Sequence, residues 1–237
     1  LGLVEQALLE LTGAHDVAIA TDERRGRSLK DDGQGRRVDL DGLELNGVLG
    51  IGVDIAFARK METPKARAQY MWYNDEMPYT LENSIRADIA GQVLDMIYLK
   101  KIREEASAAY SVSAIGRAQL REDKTHSMML YAICPMKPEK RQEAVSILEQ
   151  EVKDLANTCD ASMVAKIKEL MLKQADDAVK SNGYWYNVIE MDDKYGIDSH
   201  SDYKKLIEAQ TPETICSFMK EFNKNGNRLG VVMLPAE

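Results

Sequence analysis

The sequence predicts an α+β fold: a two-layer domain in which an antiparallel-rich mixed sheet packs against several helices. Three observations carry this expectation. Stretches with period-two alternation lie before the first long helical pattern and again directly after it. Segments with apolar residues every third or fourth position fill the rest of the middle and the later part of the chain. A nearly continuous apolar run at residues 229–234 then closes it as a strand.

The amino-terminal part is the least regular. Leu3, Val4, Ala7, Leu8 and Leu11 recur at helical spacing and Gly13 stands where a C-cap would fall, so residues 1–12 read as the tail of a helix that began upstream. A short apolar run at 17–20 precedes a Gly-, Arg- and Asp-rich stretch at 21–42 with no periodic apolar face, which reads as an exposed loop. Gly47, Gly50 and Gly52 are followed by alternating residues rather than by a helix N-terminus. They therefore predict a turn into a strand and not a phosphate-cradling loop.

From residue 55 the pattern sharpens. Residues 55–61 and 66–73 alternate about Thr63-Pro64 and predict a pair of strands. Thr80 is placed to cap a long helix whose Leu81, Ile85, Ile89, Val93 and Ile97 share a face with Leu94, Tyr98 and Ile102, running to about Glu105. Residues 109–115 and 127–134 predict an antiparallel hairpin with a charged tip at 117–124, ended by Pro135 and Pro138, and Pro138 also suits the first position of the next helix. That helix carries Val145, Leu148, Val152 and Leu155, and Asp160 caps another with Met163, Ile167, Leu170 and Met171. Asn182-Gly183 interrupts before an aromatic segment reaching Tyr195-Gly196. Thr211-Pro212-Glu213 then supplies a hydroxyl cap, an N1 proline and an acid for the helix dipole ahead of Ile215, Phe218, Met219 and Phe222. No internal repeat is visible, and the order of the strands is not readable from pattern. Residues 1–50 thus form a helix tail, a strand and a loop, residues 51–237 the α+β domain, and the whole one structural domain.

The 237 residues suffice for a sizeable core, and 44% hydrophobic with 30% charged residues is globular composition. No apolar run approaches the roughly 18 residues of a bilayer-spanning helix. The net charge of -8, from 31 Lys+Arg against 39 Asp+Glu, argues against nucleic-acid or anionic-lipid partners. Cys134, Cys159 and Cys216 are odd in number and widely spaced, which suggests buried free thiols rather than a disulfide framework or a metal site. The chain opens on Leu1 without a basic-then-apolar leader, so it reads as a processed or excised piece of something longer.

Chemistry is sparse. His15, His126 and His200 stand in no two-histidine ligand spacing, and no GxSxG, phosphate loop or cysteine–histidine pairing occurs, so no metal is expected to be held by this chain. Glu104-Glu105 and Asp176-Asp177 fit solvated helix faces. One constellation stands out. Arg103 lies in the last turns of the long helix and Tyr110 near the following strand, so a guanidinium and a phenol can converge on one junction and donate to a peptide carbonyl or its oxyanion. The same pattern also fits a surface arginine and a tyrosine at the edge of the core.

Met61 to Ala66, Met77 to Asn83, Ile102 to Glu105 with Tyr110-Ser111-Val112, Asn182 to Trp185 with Tyr195-Gly196, and Thr211-Pro212-Glu213 before Val231 to Pro235 resemble the C-terminal-type domain of inverted-zincin metallopeptidases, the pitrilysin and mitochondrial processing peptidase family. The resemblance covers residues 55–237. It implies a half-domain similar to that of mitochondrial processing peptidase, in which homologous domains pair around a chamber. A zinc-bearing N-terminal-type domain or subunit carries HxxEH, and the partner domain carries no zinc. It further implies that Arg103 and Tyr110, with the family's seven-residue spacing, bind the peptide substrate, Tyr110 also donating to the reaction intermediate. The link here is Glu-Glu-Ala-Ser-Ala-Ala, without the glycine that members often place there. The chain alone is then expected to bind no zinc and to hydrolyse no peptide. The alternative is an inactive assembly or peptide-binding domain of the same fold. A domain built to pair exposes an apolar patch, so an isolated copy is expected to be able to form a homodimer. The resemblance leaves the compartment open, with bacterial periplasm or cytoplasm favoured.

Overall fold

Alternation along a strand sends successive side chains to opposite faces, so each strand of a two-layer fold must divide its residues between helices and the far side. The computed structural model describes residues 44–46 and 53–236, and its central strands follow this rule. The elements in order are β1 (Glu44–Asn46), β2 (Val53–Arg59), β3 (Ala66–Asn74), α1 (Leu81–Tyr98) continued by a π-helical segment (Leu99–Glu105), β4 (Ser113–Leu120) and β5 (His126–Met136). There follow a 3-10 turn (Pro138–Lys140), α2 (Arg141–Asp154), α3 (Ala161–Ala178), α4 (Asn182–Tyr195), α5 (Tyr203–Glu208), α6 (Pro212–Lys224) and β6 (Asn227–Pro235). The expected helix at 1–12, the run at 17–20, the loop at 21–42 and the Gly47, Gly50 and Gly52 turn lie outside the described residues.

The strands form one mixed sheet in the order β1-β2-β6-β3-β5-β4. All pairings are antiparallel except β2 with β6, whose register runs from Val53 opposite Leu229 to Arg59 opposite Pro235. The two strands expected as a pair are therefore both present but are not partners: the carboxy-terminal strand inserts between them. On the helix side, Ala68, Tyr70 and Trp72 of β3 and Met128, Leu130 and Cys134 of β5 join the helices in the main core. On the far side, Met71, Met129, Leu229 and Val231 form a smaller cluster edged by Phe57, Tyr73 and Tyr131. This is the α+β architecture expected from the sequence.

Local signals fix the helices where they were read. Thr80 Oγ1 accepts from the Asn83 amide at 3.0 Å and starts α1, whose Ile85, Ile89, Val93 and Leu94 are fully buried. At roughly 1.5–3 kcal/mol for each fully buried aliphatic side chain, this stripe is a main attachment of the helix to the sheet. Asp160 accepts from the Ser162 and Met163 amides to start α3, and Thr211 with Thr214 forms a reciprocal capping box at α6. The buried Tyr98 hydroxyl donates to the Leu148 carbonyl at 2.8 Å, joining α1 to α2. Burial lifts its pKa well above the ordinary phenol value, with Glu151 and Cys134 adding to the rise.

Several boundaries differ from expectation. β4 begins at Ser113, and Ala109 contributes only an isolated bridge to Met136. Pro135 does not end β5, which continues to Met136 with Pro135 exposed. Leu170 lies off the buried stripe of α3, formed by Val164, Ile167, Met171 and Ala175, and is largely exposed. The aromatic segment is helix α4, started by Ser181 and closed by Gly196 in the left-handed conformation (φ 67), and it has no fully buried residue. All three cysteines are free, but only Cys134 is buried, and Cys159 and Cys216 are partly exposed. Among the described residues no helix is long and apolar enough to cross a membrane.

Candidate functional site

Between α1 and β4 the backbone does something the helical periodicity gives no hint of. After Tyr98 the α-helix widens into the π-helical Leu99–Glu105, with the Ala106 amide donating to the Lys101 carbonyl at 3.0 Å. Single π turns inside helices are frequently functional. The Ala108 amide reaches back to the Ile102 carbonyl at 2.9 Å, and between them Ser107 takes a left-handed conformation (φ 48). This is the way a helix usually ends on glycine, here made by serine. The Lys137 amide then donates to the Ala108 carbonyl at 3.0 Å, tacking the link to the end of β5.

Ile102, Ala108, Ala109 and Val112 are buried and anchor the turn, so Arg103 and Tyr110 are left outside it. The structure brings the two together: the Arg103 Cζ lies 5.7 Å from the centroid of the Tyr110 ring, within cation–π range. Tyr110 is 88% exposed, which rules out the core-edge reading of this tyrosine. Neither side chain makes a hydrogen bond to another described residue, so the phenol and the guanidinium keep their donors for a ligand.

The surroundings hold this pair at a sheet edge. β4, three residues beyond Tyr110, is the outermost strand on its side of the sheet. Asp95 of α1 accepts the Ala114 amide at 2.8 Å, so the first outward-facing amide of β4 is already satisfied by the helix. Below the π segment, Lys101 pairs with Glu151 at 2.5 Å, and the carboxylate of this pair is nearly buried. An open cleft of about 480 Å³ runs beside it, with Glu105, Glu143 and Glu151 among its lining residues. Sequence reasoning missed Asp95, Ser107 and the tight approach of Gly91 in α1 to Gly116 in β4. An isolated glycine inside each pattern was the available signal for the last.

His200, in the segment after α4, packs back against the first turn of that helix, its Nδ1 2.7 Å from the Tyr184 hydroxyl and its ring 4.8 Å from that of Trp185. Asp198 accepts from the His200 and Ser201 amides, and these contacts with the Ser201 hydroxyl hold its carboxyl at about 2. The cluster serves to tie down a helix that buries nothing itself. Among the described residues no group of three or more histidine, cysteine, aspartate or glutamate side chains could hold a metal ion.

No protein-family model matches the sequence, and no curated protein matches it. Solved structures do match the fold. The periplasmic protease PqqL from Escherichia coli superposes with a TM-score of 0.63 at 21% identity, over 79% of this chain and 21% of that one. A peptidase M16 inactive domain from Pseudomonas fluorescens gives 0.57 at 13% identity, over 79% of this chain and 44% of that one. Pitrilysin gives 0.55 at 13% identity, over 82% of this chain and 21% of that one. The chain thus spans less than half the length of each of these structures. The likeness is one of fold: this chain is similar to the M16 peptidases, pitrilysin among them, and has the α+β architecture of one of their half-domains.

Proposed function

We propose that this chain is the non-zinc domain of a pitrilysin-type zinc metalloendopeptidase, and that it binds the peptide and supports the transition state of a reaction whose metal is held by a homologous domain or subunit. The observation that carries this reading is the stacked Arg103–Tyr110 pair, with both donors free, beside an edge strand. In this reading the metal belongs to the partner, in keeping with the lack of a metal-holding cluster among the described residues, and nothing in the step below is routed through it.

In this reading the Arg103 guanidinium binds a substrate main-chain carbonyl. The Tyr110 hydroxyl donates to the scissile carbonyl oxygen as it gains negative charge. A donor that meets the oxygen mainly in the transition state lowers the barrier without tightening ground-state binding, so its loss falls on turnover. Extended peptides suit the site because main-chain groups beyond Ala114 on β4 offer a strand partner. The neighbouring carboxylates favour a basic side chain in the cleft.

The test is made in the complete enzyme. Tyr110→Phe is expected to lower kcat by roughly 10²-fold, the usual cost of one lost oxyanion donor, with KM and zinc content little changed. Arg103→Ala is expected to raise KM. The chain by itself is expected to hydrolyse no peptide and to retain no stoichiometric zinc after dialysis. Unchanged peptide kinetics in Tyr110→Phe would remove the catalytic role.

A second reading, an inactive assembly or peptide-binding domain, is favoured by the solved neighbour described as an inactive peptidase domain. It predicts no hydrolysis by the assembled wild-type protein. A fluorescent peptide would still bind, and Arg103→Ala would release it.

A further inference from the structure

A second concavity, of about 380 Å³, lies where α2, the end of α6 and the start of β6 meet the helix side of β3. Its walls are held by contacts between these elements. The Asn223 Nδ2 of α6 donates to the Val152 carbonyl of α2 at 3.1 Å. Arg228 of β6 pairs with Glu149 of α2, and its guanidinium lies 5.6 Å from the centroid of the Tyr70 ring. A Cβ on Gly226 would stand 2.6 Å from the Phe222 carbonyl oxygen, so the turn into β6 closes tightly on the last turn of α6. Val152, Phe222 and Trp72, all buried, give the cavity an apolar floor. Trp72 lies six residues along β3 from Ala66, whose partner Met136 takes the bridge from Ala109. The cavity is therefore about 20 Å along the sheet from the strand end beside Tyr110, and nothing said of it rests on the reading of the Arg103–Tyr110 pair.

Donors are left over on these walls. Trp72 is only 8% exposed and stacks on Tyr70 with ring centroids 5.5 Å apart, yet its indole N–H makes no hydrogen bond to another described residue. A buried tryptophan N–H usually finds an acceptor. This one is not sealed from solvent either, so it faces open space, and the open space that Trp72 lines is this cavity. Lys153 stands on the rim, and its ammonium forms no ion pair or hydrogen bond with another described residue. Glu149, the one carboxylate among the lining residues, is already taken by Arg228. Lys153 thus leaves the cavity one positive charge in a chain whose net charge is -8.

We propose that this cavity binds a small aromatic carboxylate, whose anionic group accepts from the Trp72 Nε1–H and the Lys153 ammonium while its ring packs against Phe222 and Trp72. The leftover groups select the charge: the buried N–H and the unpaired ammonium are both donors, and neither can serve a cationic ligand. A carboxylate here makes charge-assisted hydrogen bonds, the stronger kind. The walls select the body, since flat apolar rings gain most against tryptophan and phenylalanine. The volume lies at the lower end of the range of ligand pockets and holds the ligand to a compact one.

The chain has two tryptophans, so the nitrogen-15-labelled protein gives two indole N–H resonances, and Trp72→Phe assigns one of them by its loss. Titration with phenylacetate is expected to move the Trp72 resonance to a plateau and to leave that of Trp185 in place. Benzyl alcohol, which keeps the ring without the charge, and acetate, which keeps the charge without the ring, are expected to give no plateau. Lys153→Met alters an exposed side chain and spares the core, and it is expected to raise the phenylacetate Kd by about tenfold, the cost of one hydrogen bond to a charged group. The proposal is overturned if the Trp72 resonance does not move, or if both indole resonances drift together without saturating. Benzyl alcohol binding as well as phenylacetate, or Lys153→Met binding as the wild type does, overturns it as well.

Discussion

The close approach of α1 to β4 makes a sharp prediction about stability. A Cβ on Gly91 of α1 would stand 1.9 Å from the Gly116 nitrogen, 2.5 Å from the Ile115 carbonyl carbon and 2.7 Å from the Gly116 Cα. All three are main-chain atoms of β4, held by its ladder with β5, so no side chain can swing aside. Ordinary contact begins at 3.4 Å, and Gly91→Ala forces helix and strand apart by about 1.5 Å. That retreat opens the layer under Ile89, Val93 and Leu94 and pulls Asp95 off the Ala114 amide. A gap of this size forfeits much of the dispersion between the faces, overpacking in general costs about 1–3 kcal/mol, and the lost charged hydrogen bond adds about 1.5–3 kcal/mol. Helix propensity returns about 1 kcal/mol for replacing glycine with alanine. The net expectation is a loss of roughly 3 kcal/mol, read as a fall in the urea midpoint by circular dichroism with an unchanged slope. Gly183 of α4 is the control, since a Cβ there meets only Ser181 Oγ at 3.5 Å and Gly183→Ala should be neutral or stabilising. A Gly91→Ala variant as stable as the wild type would refute the packing argument.

The other predictions address the site and the acid limb. Ser107→Gly relieves a left-handed conformation costing about 1–2 kcal/mol but adds freedom to the unfolded chain worth about 0.4–1 kcal/mol, so it should stabilise by about 0.5–1 kcal/mol in urea melts. Destabilisation by this variant would mean that the serine hydroxyl, and not the backbone, sets the turn. Asp198 is held at about 2, against an ordinary 3.8, by the Ser201 hydroxyl and the Ser201 and His200 amides. Its folded pKa is lowered, so its contribution is present above pH 3.8 and is lost as the pH falls towards 2. Asp198→Asn should therefore show a shallower loss of stability than the wild type between those values, and superimposable acid limbs would count against the contact.

How much of this was legible follows the range of the forces involved. Thr80, Asp160 and Thr211-Pro212 announced their helices because a cap is settled within four residues of sequence. Arg103 and Tyr110 were legible for the same reason, since a helix end and a strand start seven residues apart bring two side chains to one junction. The strand order was not, because the insertion of β6 between β2 and β3 depends on pairings across more than 150 residues. The long helix ends at Glu105, where its periodicity places the end, but the form of that ending was not legible. A link of Glu, Ala and Ser predicts more helix, yet the buried Ile102, Ala108 and Ala109 draw it into a π turn and a left-handed serine that no propensity favours. In that link local preference yields to burial. The strain sits between the two residues proposed to bind the substrate. A left-handed serine in place of glycine stiffens the Tyr110 arm, so in an active assembly Ser107→Gly should stabilise the fold while loosening the arm. Raised stability with lowered kcat is the result this coupling requires, and a variant that gained both would show that the stiffness does nothing for the site.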